Sequence, residues 1–147
     1  MKIAGLWNGH DCSFCIFENN KPVIHAEYER YLREKNPKGD SFSFMSDVLT
    51  DAEIKDIKYF ATCYPSLLMT KHSESLKKIE TIINNNDGKF FIFPHHKSHA
   101  AHAFYSSKFK KAITITLDGG GTESDNREES ACTVWECEDN KINLIRR

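Results

Sequence analysis

The sequence predicts an α/β domain in which helices pack on a mixed β-sheet, and three observations predict it. Short apolar runs with β-branched or aromatic residues recur along the chain, stretches with helical spacing separate several of them, and Asn, Asp, Gly and Pro punctuate the joins. At 147 residues, 39% apolar and 12% aromatic, the chain can bury one core at the scale of a single domain.

Lys2 to Leu6, Ser13 to Phe17 and Pro22 to Glu27 are apolar or alternating runs, joined by Asn8-Gly9 and by Glu18-Asn19-Asn20-Lys21. They read as three consecutive antiparallel strands. The stretch from Glu29 to Asp40 is dense in charge and contains Pro37 and Gly39, so it reads as a loop or a frayed turn able to carry binding residues. Phe44, Met45, Val48 and Leu49 recur at helical spacing and predict a short helix. A fourth strand follows over Lys58 to Thr62. Leu67, Leu68, Leu76, Ile79, Ile82 and Ile83 fit one amphipathic helix that stops at the run Asn84 to Gly88. Phe90 to Phe93 is a brief strand. The alanines between His95 and Tyr105 predict a helix beginning just after Pro94. Ala112 to Leu117 is a β-branched strand closed by Asp118-Gly119-Gly120-Gly121. Beyond an acidic loop, Ala131 to Trp135 and Lys141 to Ile145 form a hairpin across Glu138-Asp139-Asn140.

Twenty basic side chains stand against twenty-one acidic ones, a net charge of −1. Such a balance supplies no field to draw in nucleic acid or an anionic membrane, so small molecules or other proteins are the expected partners. No apolar run approaches the ~18 residues of a membrane span, and the N-terminus turns polar at Asn8 without a secretory apolar segment. The expectation is a cytoplasmic protein whose five cysteines stay as thiols.

The strongest local signal is His95-His96-Lys97-Ser98-His99-Ala100-Ala101-His102. On a helix His95, His99 and His102 share a face and His96 turns away. Imidazoles one turn apart, with Cβ atoms roughly 5 to 6 Å from each other, can chelate one divalent ion. The bland reading is a solvated polar face. The Glu of a His-Glu-x-x-His protease is absent. Asp118 is the natural third ligand, because it ends an apolar strand and precedes Gly119, Gly120 and Gly121, whose unshielded N–H groups suit a phosphate. The same residues also read as a tight turn. Neither a P-loop nor a Gly-x-Gly-x-x-Gly occurs.

Asp11 and Ser13, in the turn after the first strand, can offer a carboxylate and a hydroxyl to a substrate or simply close the turn. Cys12 and Cys15 have the spacing of half a zinc ribbon, with Cys132 and Cys137 as a conceivable second half. Strand alternation sends Cys12 and Cys15 to opposite faces, which argues against that site. Glu29, Arg30, Arg33 and Lys35 form a charged set in which Arg30 can hold an anion bidentately, or which is a solvated loop.

Three ordered blocks together resemble the N-terminal part of the nodulation, cephamycin and tobramycin type O-carbamoyltransferases. They are Gly5 through His10-Asp11-x-Ser13 to Glu29-Arg30-x-x-Arg33-x-Lys35; His95-His96-x-x-His99-Ala100-Ala101-x-Ala103-Phe104-Tyr105; and Leu117-Asp118-Gly119-Gly120-Gly121. The resemblance implies an actin/hexokinase-like (ribonuclease H-like) first lobe over 1–117 and the truncated start of a second lobe over 118–147. It implies His95, His99 and Asp118 as ligands of a divalent metal, iron above zinc or manganese, with one more aspartate lying beyond this chain. His10 and Asp11 would lie near the acceptor or the carbamoyl group.

In that family a YrdC-like domain makes carbamoyl-adenylate from carbamoyl phosphate and ATP, and the metal-bearing domain passes the carbamoyl group to a small-molecule hydroxyl acceptor. The glycine turn and Arg30 would then face the adenylate, and His102, a small residue in most of the family, would alter coordination or act as a general base. The resemblance covers essentially this whole chain but about the first quarter of a family member. The expectation is therefore an inactive part of a larger enzyme, with the second lobe and the YrdC-like domain supplied in cis or trans; a lobe standing alone would expose an apolar surface and form a homo-oligomer. A small-molecule kinase relative and a non-catalytic lobe that binds nucleotide or metal are the competing readings.

Overall fold

In the computed structural model, which describes residues 1–8, 11–64, 73–124, 126 and 128–147, β1 (Lys2–Trp7), β2 (Ser13–Glu18) and β3 (Lys21–Glu27) form the expected antiparallel meander. Helices α1 (Tyr28–Leu32), α2 (Ser41–Val48) and α3 (Asp51–Lys55) follow. Strand β4 (Ile57–Cys63) then returns parallel to β1. After α4 (Glu74–Asn85), β5 (Lys89–Phe93) completes a sheet of order β3-β2-β1-β4-β5. The chain continues through α5 (His95–Ser106), β6 (Lys111–Thr122), β7 (Glu129–Glu138) and β8 (Lys141–Arg146). The last three strands form a separate antiparallel sheet of order β6-β7-β8.

By its internal contacts the chain divides into two units. One comprises Met1–Thr62 and the described residues up to Ile92; the other is Phe93–Arg147 with Cys63 and Tyr64. The boundary expected between 117 and 118 falls instead within β6, which stays paired to β7 on both sides of that position. A strand shared by one ladder cannot be divided between two cores.

The register of the first unit explains its core. Ala4 and Leu6 stand opposite Ile16 and Phe14, Ile16 and Phe14 opposite Ile24 and Ala26, and Ala4 beside Phe60. Period-2 alternation thus brings these side chains to one face. Ala4, Leu6, Phe14, Ile16 and Phe60 are buried there with Phe42, Phe44 and Met45 of α2 and Ile79 of α4. Side-chain caps start α2 and α4: Asp40 accepts from Ser43 N at 2.8 Å, and Ser73 from Leu76 N at 3.2 Å.

Two short helices depart from the sequence reading. Helix α1 forms where a charged loop was expected, because Tyr28 and Tyr31 stack on each other at 6.1 Å and meet Phe44 at 4.8 and 5.3 Å. Aromatic anchors hold one turn that its charge density conceals. Helix α3 is too short for periodicity to register, yet Thr50 and Glu53 make a capping box and Ile54 is buried. The expected start of the long helix at Leu67 and Leu68 lies outside the described residues. Among the described residues, no helix is long and apolar enough to cross a membrane.

A polar junction ties the end of β1 to two helices. The Oδ1 of buried Asn8 accepts from Ser41 N at 2.9 Å and from the Ser41 hydroxyl, and its Nδ2 donates to Asp40 Oδ2 at 3.2 Å. Asp40 Oδ1 in turn accepts from Ser75 Oγ at 2.7 Å. Removing Asn8 strands buried donors, so Asn8→Ala is expected to cost about 1 to 3 kcal/mol. Urea denaturation reads this as a lower midpoint at unchanged slope, and an unmoved midpoint would show the junction to be energetically idle.

Candidate metal centre

In the second unit α5 packs against the β6-β7-β8 sheet, burying Ala100 and Phe104 with Trp135 and Cys137. Period-2 alternation along β6 puts Thr114, Thr116 and Asp118 on one face and Ile113, Ile115 and Leu117 on the other. Thr116 is buried, with its hydroxyl 2.6 Å from that of Thr133, whereas Leu117 is 78% exposed. Asp118 therefore continues the helix-facing row.

The ladder then breaks. Leu117 pairs with Cys132 and Gly121 with Ser130, so Asp118, Gly119 and Gly120 together stand opposite Ala131 alone. This bulge replaces the tight turn considered from sequence, and bulges of this kind re-aim side chains. Gly120 has φ of +146°, which glycine alone adopts readily. Gly119 N donates to Asp118 Oδ1 at 2.6 Å, fixing the carboxylate and leaving Oδ2 toward the helix.

Three donor atoms meet there. His95 Nε2 lies 2.9 Å from Asp118 Oδ2, His99 Nε2 lies 3.2 Å from the same oxygen, and the two Nε2 atoms are 3.0 Å apart. Each Nε2 carries at most one proton, so two protons cannot turn all three contacts into hydrogen bonds. A cation satisfies all three at once. With metal–ligand bonds of about 2.1 Å, neighbouring donors of an octahedral site stand about 3.0 Å apart and those of a tetrahedral one about 3.4 Å. The donor set fits a divalent ion, and the spacing favours one octahedral face. His95 is mostly covered, whereas His99 and Asp118 are 54% and 38% exposed, so the opposite side of the site is open. Two imidazoles, one carboxylate and open positions suit iron, manganese or zinc.

The His95 imidazole hydrogen bond, reinforced by Gly119 N–H, holds the Asp118 carboxyl down at about 2. It is thus an anion throughout the neutral and mildly acidic range.

The residues predicted from sequence divide into three sets. His95, His99 and Asp118 converge as expected, and among the described residues they are the group able to hold a metal ion. His102 does not join them: seven residues of helix place it about 10 Å along the axis from His95, where it is exposed. In the other unit, Asp11 and Arg30 line one open cleft of about 410 Å³ with Ser13, His25, Glu27 and Glu29. Arg30 is paired to Glu27 at 3.2 Å. His10 lies outside the described residues.

Gly119 and Gly120 have open space where a Cβ would project, whereas one on Gly121 would come within 2.2 Å of His95 Cδ2. The first two glycines leave their backbone accessible to a ligand, and the third seats an imidazole. Cys12 is buried and Cys15 packs over Gly5, and all five cysteines are free thiols. Two features escaped the sequence reading: the full burial of His96, which the helical spacing only turns away from His95 and His99, and its hydrogen bond with Glu123. Nothing in the helical spacing marks a carboxylate in the following acidic loop.

No family model matches the chain. It is 29% identical over 119 residues to the uncharacterized protein MJ1051 of Methanocaldococcus jannaschii, which covers 81% of this chain and 22% of that protein. Among solved structures, the crystal structure of T. kodakarensis HypF superposes with a TM-score of 0.66 at 16% identity, over 97% of this chain and 18% of HypF. Full-length HypF in its phosphate- and nucleotide-bound form gives 0.59 at 16% identity, over 98% of this chain and 21% of that one. The chain thus shares a fold with part of HypF and spans about a fifth of the length of these proteins.

Two outcomes follow from the site geometry. Gly121→Ala pushes the His95 ring off its seat and is expected to weaken divalent-metal affinity at least tenfold with little change in the circular dichroism spectrum; wild-type affinity in calorimetry would refute that seating. The Asp118 contacts with His95 and Gly119 lower its folded pKa to about 2, from about 3.9 when unfolded. Their stabilisation is accordingly complete above about pH 4 and lost as pH falls through about 2. Carboxyl-carbon NMR of Asp118 should titrate there, and a midpoint near 4 would contradict it.

Proposed function

We propose that this chain is the metal-bearing N-terminal part of an O-carbamoyltransferase, and that it holds a divalent ion, iron before zinc or manganese, through His95, His99 and Asp118. The convergence of these three donor atoms within 2.9 to 3.2 Å carries the reading. The fold shared with HypF supports it. The strand order β3-β2-β1-β4-β5 supports an actin/hexokinase-like first lobe, and β6-β7-β8 would open the second. The remainder of the enzyme, including a YrdC-like domain that consumes ATP and carbamoyl phosphate, is supplied in cis or trans.

In the reaction the acceptor hydroxyl oxygen bonds to the carbamoyl carbon of carbamoyl-adenylate. The bond from that carbon to the phosphate oxygen breaks, adenylate leaves as the anion, and the hydroxyl proton passes to a base. A bound metal supplies positive charge to oxygens on which negative charge develops. This chain's residues have distinct tasks. His95 and His99 orient through one helix turn, Asp118 contributes the anion that would fix the cation with one oxygen held by Gly119 N–H, and the exposed backbone at Gly120 leaves room for phosphate oxygens. His102 stands about 10 Å along the helix from His95 and is not placed to act as that base.

The reading is tested without turnover. Wild-type protein loaded with Fe²⁺, Mn²⁺ or Zn²⁺ and desalted should retain about one ion per chain by elemental mass spectrometry, and His99→Ala or Asp118→Asn should retain less than about a tenth of that, since each removes a direct ligand. Equal metal content in wild type and variants would remove the carbamoyltransferase site and leave the kinase-like alternative, which needs no histidine-bound ion.

A further inference from the structure

Helix α5 begins at Pro94 with no side-chain cap of its own. The N–H groups of His95, His96 and Lys97 lack partners within the helix, whose first bond is Ser98 N to Pro94 O at 3.1 Å. The His96 backbone N–H lies 3.4 Å from Oε1 of Glu123, and the same oxygen is hydrogen-bonded to His96 Nδ1. Both side chains are essentially inaccessible, 0% and 1% exposed. Glu123 is itself anchored, since its N–H donates to Glu128 O at 2.7 Å. Among the described residues no partner meets His96 Nε2, so Glu123 makes the ring's hydrogen bond.

We propose that Glu123 is a positioning residue for the metal triad: by capping α5 and gripping His96 it sets the roll of the helix that carries His95 and His99. The inference rests on the metal reading above. Successive helix residues are about 100° apart around the axis. Glu123 grips the helix at His96, while Gly121 seats His95 and Asp118 meets His95 and His99. Asp118, Gly121 and Glu123, in and just after β6, therefore hold three neighbouring directions at one end of the helix. The leverage is large, because side-chain tips lie about 5 to 6 Å from the axis. A roll of about 20° moves such a tip by about 2 Å, the length of a metal–ligand bond. Without Glu123 the helix still has its apolar seat at Ala100 and Phe104, which fixes packing but not this register to the nearest ångström.

The test is calorimetric and spectroscopic titration of the purified chain with Co²⁺, alongside thermal unfolding. Wild type is expected to bind one Co²⁺ with a defined visible spectrum. Glu123→Ala should bind 10 to 100 times more weakly, the range typical when an outer-shell partner is lost, with an altered spectrum. Glu123→Gln keeps an acceptor oxygen for both His96 N–H groups and should stay within about threefold of wild type.

Should Glu123→Ala fail to fold, the double variant His96→Leu/Glu123→Met replaces both buried polar side chains and leaves only the long 3.4 Å contact at the backbone N–H of position 96 unmade. It should unfold near the wild-type temperature yet bind Co²⁺ as weakly as predicted for the alanine variant. Wild-type affinity and spectrum in a folded Glu123→Ala or in the double variant would overturn the positioning role while leaving the triad intact. So would a folded Glu123→Gln that binds as weakly as the alanine variant. Absence of Co²⁺ binding by wild type would instead remove the triad, and the positioning role with it.

Discussion

The candidate site depends on one constraint, that a carboxylate leave its strand toward a helix at the place where two imidazoles arrive one turn apart. Regular β pairing does not meet it. By alternation Asp118 belongs to the helix-facing row, but the row continues into Gly119 and Gly120 only because the ladder slips there by two residues. The slip frees the backbone beyond Asp118, and the adjacent N–H turns back to hold one carboxylate oxygen. The other oxygen is left for the helix. With Asp118 in regular pairing and a bulkier residue at 121, its carboxylate would not be held in this way and the ring of His95 would have no room.

The glycine run therefore meets more than one demand. A single functional label for Gly119, Gly120 and Gly121 conceals two different physical demands, openness at the first two and close approach at the third. Openness keeps backbone donors available for an anion. Close approach sets the depth at which His95 lies. Both bear on the same candidate site, one by leaving space beside Asp118 and the other by excluding a methyl group behind His95.

Much of this was legible in the sequence because it rests on short-range periodicity. The meander of β1, β2 and β3, the helix after Pro94 and the pairing of His95 with His99 follow from alternation, turn chemistry and a four-residue interval. Asp118 was legible as the polar end of an apolar strand. What was not legible is set by contacts distant in sequence. Helix α1 depends on Phe44, and the burial of His96 depends on Glu123, twenty-seven residues away. A helical wheel places His96 away from His95 and so suggests solvent, but a wheel cannot know that a carboxylate occupies the other side. The bulge was hidden for the same reason, since Asp-Gly-Gly-Gly has the same composition whether it reverses the chain or lets it run on.

The burial of His96 bears on how a metal centre is built from few residues. Three ligands on a helix and a strand leave the helix free to roll, because an apolar seat such as Ala100 and Phe104 tolerates small rotations at little cost. Hydrogen bonds do not, since they weaken steeply with misalignment. A buried carboxylate that accepts from both a backbone N–H and an imidazole of the same residue is angularly selective. It also lies outside the donor set itself. The exposed side of the triad can then remain open for exchangeable ligands while its orientation is fixed from within. Rigidity on the buried side and vacancy on the other is the division that a centre binding substrate oxygens requires.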